Sequence, residues 1–171
     1  LGINNIFLKM LGTSKEIKYP GLNVLPPGVE RHIVNGGGLT GFQIFPDDEI
    51  EIINNEGNQI CEIICFDKDG NSDVGILNLK PNNEKNFIRD ILNGSDETIL
   101  ATNYQLKKRN LKISNSKSSI IFDRETRPGE KVKFKSKDKC YAIFAAPGED
   151  MDVTNQNPPT DLTIFIKRAK I

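Results

Sequence analysis

The chain of 171 residues carries one histidine, His32, and three cysteines, Cys61, Cys65 and Cys140. Those four side chains limit what imidazole or thiolate chemistry it can do. A metal site built from several imidazoles needs more than His32, and no metal site is expected. A Ser–His–Asp or Cys–His arrangement stays formally open through His32, but no Gly-x-Ser-x-Gly elbow accompanies it. His32 lies between Arg31 and Ile33 in a segment that reads as a strand. A structural histidine is the first expectation there and a ligand-binding one the alternative. Cys61 and Cys65 belong to the β-branched run Ile60-Cys61-Glu62-Ile63-Ile64-Cys65-Phe66, the pattern of a buried strand. Four strand steps separate their backbones by about 13 Å, too far for a shared zinc or a disulfide. Both are expected as small core residues. An odd number of cysteines without framework spacing points to a reducing, cytoplasmic compartment.

Three other segments invite a chemical reading. Asn35-Gly36-Gly37-Gly38 has the glycine content of a phosphate-cradling loop but lacks the following Lys-Ser/Thr and a strong helix, so a flexible hairpin connection is expected. The acids Asp47, Asp48, Glu49 and Glu51 alternate across a strand without calcium-loop spacing. The run from Ala145 through Pro147-Gly148-Glu149-Asp150-Met151 to Asn157-Pro158-Pro159-Thr160 is a long polar excursion between two apolar segments. A β domain places binding or docking loops in such excursions, which makes Asp150 and Met151 ligand-binding candidates, with an ordinary long connection as the alternative.

The elements that must position these residues are short. Pro20-Gly21 and Pro26-Pro27-Gly28 break the chain, separating an N-terminal arm, 1–21, from a single β domain, 22–171. Alternating or apolar runs bounded by turn residues predict strands at 30–34, 39–45, 49–52, 59–66, 98–105, 110–115, 118–123, 130–135, 139–145 and 161–167. Phe87, Ile88, Ile91 and Leu92 share one face of a helix over 83–93, capped by Asn82 or Asn83. The result is a mostly β fold, a barrel or sandwich of about nine to eleven short strands with one short helix. Two segments echo each other, Pro46 to Ile52 and Pro128 to Phe134. Each is a Pro-led acidic turn feeding an alternating strand followed by an apolar one, which hints at two related halves.

Composition excludes some functions. Lys+Arg and Asp+Glu balance at 23 each, so no electrostatic case exists for nucleic acid or an anionic membrane. The content of 37% hydrophobic and 27% charged residues is that of a globular domain, and no apolar run reaches the ~18 residues of a membrane helix. The first residues, Leu1-Gly2-Ile3, lack an initiator Met and suggest a trimmed or incomplete N-terminus.

The stretch Pro46 to Phe66, with Asn54-x-x-Gly57-x-Gln59-x-x-Glu62 at its centre, resembles the Asp-x-x-Gly-x-Gln-x-x-Asp pattern of the urea-carboxylase-associated family. That family includes carboxyguanidine deiminase subunits. Ala145-Ala146-Pro147-Gly148, then Pro159-Thr160 and Ile166-Lys167-Arg168, resemble the family's closing segment. Both stretches are more similar to an N-terminal domain that precedes the glycine-cleavage T-protein (aminomethyltransferase) region of some bacterial proteins, with the likeness spanning 24–168. The pattern's two acids stand here as Asn54 and Glu62, and the family's His-Asp-Thr stretch and metal-site cysteines have no counterpart. Catalysis is therefore not carried over. The resemblance implies a non-catalytic accessory or substrate-positioning domain beside an aminomethyltransferase that acts on methylated amines with tetrahydrofolate. The tetrahydrofolate would belong to the associated domain, and none would be bound by this one. It also implies that Gln59, Glu62 and Asn54 face a small polar, amine-type ligand, although Gln59 could instead satisfy backbone groups beside the Gly57 turn. A small amidohydrolase or deiminase and a structural homo-oligomerisation module are the alternative functions.

Overall fold

The structure is a computed structural model that describes residues 25–83, 86–149 and 157–170. The expected N-terminal arm, Asp150 and Met151 lie outside the described residues.

Among the described residues there are eight strands, β1 (Val29–Val34), β2 (Leu39–Ile44), β3 (Glu49–Asn54), β4 (Cys61–Phe66), β5 (Ser119–Ile121), β6 (Glu130–Lys135), β7 (Cys140–Ala145) and β8 (Leu162–Lys167). They form two antiparallel four-stranded sheets, ordered β1-β8-β3-β6 and β2-β7-β4-β5. Apart from β4 and β5, each strand lies in the opposite sheet from the one before it. That alternation with this order is an eight-stranded jelly roll, a sandwich rather than a closed barrel. The mostly β architecture agrees with the sequence, and the strand count is lower than expected.

The two echoing segments lie side by side. β3 pairs with β6, placing Ile50 opposite Phe134, Ile52 opposite Val132 and Glu51 opposite Lys133. The apolar strands that follow them, β4 and β7, pair in the other sheet. The connection at Asn35–Gly38 joins β1 to β2 in different sheets, so it is a crossover between layers and not the expected hairpin.

Burial explains the two strand patterns. β3 alternates, with Ile50, Ile52 and Asn54 turned inward and the residues between them half exposed, as a sheet with one wet face requires. β4 and β7 are buried at every position. Cys61, Ile63, Cys65, Cys140, Ala142 and Phe144 fill the space between the sheets, while Ile64, Phe66, Tyr141, Ile143 and Ala145 face the other way.

The outer cover is the insertion between β4 and β5, with α1 (Phe87–Ile91) and α2 (Glu97–Lys108). The segment 98–105, expected as a strand, is the first half of α2. Its β-branched residues suggested extension, but Ile99, Thr102 and Leu106 are the buried set, a spacing of three and four that belongs to a helix. Glu97 in the first turn and Lys107 and Lys108 in the last suit the helix dipole. Ile99 and Leu106 pack on the outer face of the sheet, each worth about 1.5–3 kcal/mol on burial. The expected strand at 110–115 is a 3-10 turn over Ile113–Asn115. The helix expected over 83–93 is confined to α1. Asn86 caps it by accepting from the Arg89 N–H at 3.2 Å. Asn82 is instead spent on β5, bonding both the N–H and the carbonyl of Ile120. No helix of the described residues is long and apolar enough to cross a membrane.

Candidate functional site

At one end of the sandwich the β3–β4 turn meets the chain leaving β7 and entering β8. The turn is tight because Gly57 adopts φ 74°. A Cβ there would also come within 2.6 Å of the Thr126 carbonyl oxygen. Gln59 follows the turn and is buried. Its amide nitrogen donates to the Pro147 and Ile60 carbonyls, both at 2.8 Å, and its oxygen accepts from the Thr160 N–H at 2.8 Å. Gln59 thus ties together the two ends of the β7–β8 connection. Asn54 joins it by donating to the Gln59 carbonyl at 2.7 Å. Among the described residues the oxygen Oδ1 of Asn54 and the hydroxyl of Thr160 are buried without a partner, which puts an acceptor and a donor at the floor of this end.

Glu62 faces the opposite way from Cys61 and Ile63 and is fully buried under the insertion. Its carboxylate accepts from Asn83 Nδ2 at 2.7 Å, the Phe87 N–H at 3.1 Å and the Ile88 N–H at 2.9 Å. Burial pushes its pKa above the usual carboxylate range, against the pull of these three donors, and the nearby charge of Asp90 adds to the rise. Glu62 therefore holds the start of α1 onto the sheet.

The helix so placed forms one wall of a cleft of about 570 Å³, with Phe87, Asp90 and Ile91 on one side and Arg124, Pro147 and Glu149 across from them. The size falls within the range of small-molecule sites. Arg124 makes an ion pair with Glu149, which fixes a guanidinium at the cleft edge. The same two residues line a narrower crevice running back to Gln59. A guanidinium, two carboxylates and an aromatic ring can together bind a small dipolar molecule, the cation offering donors and the ring and carboxylates receiving positive, methylated groups.

Of the residues singled out from sequence, Asn54 and Gln59 come together beside Thr160 at this end, and Glu62 acts from behind the wall. His32 is elsewhere. Its Nε2 lies 3.0 Å from Glu30 Oε1 and its ring 4.3 Å from that of Phe42. Asp48 is buried in a clasp with Arg168 and accepts from the Phe45 and Ala169 N–H groups. The cleft residues Phe87, Asp90 and Arg124 were not found from sequence as site residues, whereas Glu149 belongs to the polar excursion after Ala145 expected as a binding or docking loop. The four come from three separate connections, and no local motif links them.

No known family model matches the chain. The chain is 33% identical over 153 residues to a curated protein of Ruegeria pomeroyi named trimethylamine-oxide aldolase. The alignment takes in 90% of this chain and 19% of that relative, so the chain spans about a fifth of the relative's length. Among solved structures, a DUF1989 family protein from Silicibacter pomeroyi matches with a TM-score of 0.43 and 11% identity, over 94% of this chain and 91% of that one. The jelly-roll assignment rests on the strand order above.

The relative corrects the functional expectation. A protein aligned over nine tenths of this chain carries the name of an enzyme, an aldolase. That name speaks against a non-catalytic accessory domain beside an aminomethyltransferase, and it favours neither a deiminase nor an oligomerisation module. No urea-carboxylase link emerges either. A shortage of histidines is not a shortage of chemistry. Arginine and carboxylates can bind and polarise a substrate without imidazole.

Proposed function

We propose that this chain is one β domain of an enzyme that cleaves a methylated amine oxide, and that the cleft between α1 and the β7–β8 connection receives the substrate. The observation that carries this reading is the 33% identity over nine tenths of the chain to a trimethylamine-oxide aldolase. The cleft's chemistry supports it. Trimethylamine oxide is a small dipole with a negative oxygen and a positive nitrogen buried under methyl groups. Arg124, oriented by Glu149, supplies donors for the oxygen, and Phe87 with Asp90 supplies the surface that accepts the methylated pole. An aldolase reaction on this substrate breaks the N–O bond, one methyl C–H bond and that methyl's C–N bond, and forms the C=O of formaldehyde and the N–H of dimethylamine, the carbon being oxidised as the nitrogen is reduced. Atoms balance with no added oxidant or reductant.

The test is to incubate the protein, at its full encoded length, with trimethylamine oxide and to quantify dimethylamine and formaldehyde. Equal amounts of both are expected. Arg124→Gln, at an exposed position, should raise KM at least tenfold while leaving the circular dichroism spectrum unchanged. No formaldehyde from the wild-type protein would overturn the reading.

A further inference from the structure

We propose that a second cleft, at the end of the sandwich opposite Gln59, binds a compact oxyanion through Arg109. The cleft measures about 360 Å³, enough for a small ligand. Arg109 closes α2 as its C-terminal cap, and its guanidinium lies over the ring of Tyr141, 4.9 Å from the centroid. Nε donates to Gln105 Oε1 at 3.2 Å, and Nη1 donates to Gln43 Oε1. Gln43 is itself fixed, its amide nitrogen donating to the Cys140 carbonyl at 2.9 Å and the Ile44 carbonyl at 3.3 Å. The platform beneath is equally determined. Tyr141 is buried, and its phenol lies over Gly41, where a Cβ would come within 2.2 Å of the oxygen.

Every one of these partners is neutral. Among the described residues no carboxylate lies within ion-pair distance of Arg109. Arg168 shows the contrast. It is drawn into the protein by two carboxylates, Glu30 and Asp48, and its charge is used up in the fold. Arg109 is held instead by two amide oxygens and a π face, which orient the guanidinium without neutralising it. Among the described residues two of its five N–H donors are engaged, which leaves the outer edge of the fork, the edge that takes a carboxylate or phosphate in paired hydrogen bonds.

The surroundings favour the same ligand. Lys68 and Lys139 line the cleft with Arg109, against Asp67 and Asp69. Asp67 is turned into its own loop, its Oδ1 accepting from the Asp69 and Asn71 N–H groups at 2.9 Å each. The chemistry shared by the possible ligands is an oxyanion with two oxygens presented to one guanidinium.

The test is a thermal-unfolding titration of the complete protein with inorganic phosphate and, separately, acetate, at an ionic strength held constant with sodium chloride. A ligand that binds only the folded state raises the midpoint saturably. A saturating rise is expected for at least one anion, and the anion with the lower half-saturation concentration identifies phosphate or carboxylate as the class. Arg109→Gln should abolish the rise. Gln43→Glu, which places a carboxylate on the guanidinium, should weaken binding at least tenfold. Absence of a saturable rise with either anion, or a rise that survives both substitutions, overturns the proposal. Neither outcome depends on amine-oxide turnover.

Discussion

The Glu62 carboxylate on β4 accepts the backbone N–H of Ile88 at 2.9 Å, so a strand side chain does for α1 what a capping residue does for an ordinary helix. A helix of five residues cannot sustain itself in water. Here Asn86 satisfies one N–H and Glu62 two more, and the anchoring carboxylate lies out of water. The position of Phe87 and Asp90 at the cleft therefore depends on a residue that does not reach it.

Replacing Glu62 with Gln should destabilise the protein by about 1–3 kcal/mol, because the new amide N–H₂ meets donors where a carboxylate oxygen stood. Urea unfolding would measure the loss, and the Ile88 amide should exchange its hydrogen faster. The pH dependence has a definite sign. The native carboxyl has its pKa raised by burial, so its contribution is fully present below the unfolded value, about 4.3. It is lost as pH rises through the higher native value. The wild-type advantage over Glu62→Gln should shrink across that window, and an advantage that grew with pH would contradict the burial argument.

Some of this was legible in the sequence and some was not, for physical reasons. The alternation of Ile50 and Ile52 marked β3 because one face of its sheet is wet, and the unbroken apolar run marked β4 because both of its faces are covered. The helix α2 was misread because Thr98, Ile99 and Thr102 favour extension locally, whereas the decisive signal was the spacing of residues 99, 102 and 106. Gln59 was visible as a polar residue beside a turn, but its partners Pro147 and Thr160 are 88 and 101 positions away. The cleft is less legible still. Arg124 and Asp90 line one cleft only because the insertion folds back over β4, and no periodicity records that.

Arg168 fastens the end of β8 to β1 and to the turn that precedes β3. It forms a two-point contact with Glu30 at 2.5 and 3.2 Å and reaches Asp48 at 2.7 Å. Arg168→Ala should cost about 2–4 kcal/mol, since Asp48 is buried and loses its counter-charge while keeping its two backbone donors. Arg168→Lys should recover part of that. The Arg168 guanidinium also holds the Glu30 carboxyl below its usual range. The associated stability is present above the unfolded value, about 4.3, and disappears as pH falls through the lower native one. Acid unfolding should therefore begin at higher pH in Glu30→Gln than in the wild type.

Gly41→Ala should displace Tyr141, because the added Cβ would lie 2.2 Å from the phenol oxygen. Overpacking of this kind costs about 1–3 kcal/mol. Burial raises the phenol's pKa, so a spectrophotometric titration offers a second readout. The phenol released in the variant should ionise at lower pH than in the wild type, and an unchanged titration would show that the ring had stayed in place.

The three cysteines give a test of the core itself. Cys61 and Cys65 are 0% exposed and Cys140 is 2% exposed. Burial pushes the thiols of Cys61 and Cys65 above their ordinary range, and Cys65 is also hydrogen-bonded to Cys140. A buried thiol denies a disulfide reagent access, and at Cys61 and Cys65 the raised pKa withholds the thiolate as well. Ellman's reagent should therefore leave these three thiols unmodified in the native protein and react with all three in denaturant. Between those limits the rate should follow the global unfolding equilibrium, since Cys61 and Cys65 lie mid-sandwich and no local opening of α1 or α2 uncovers them. Modification at native conditions with the fold intact would mean that the two sheets part more easily than their packing indicates.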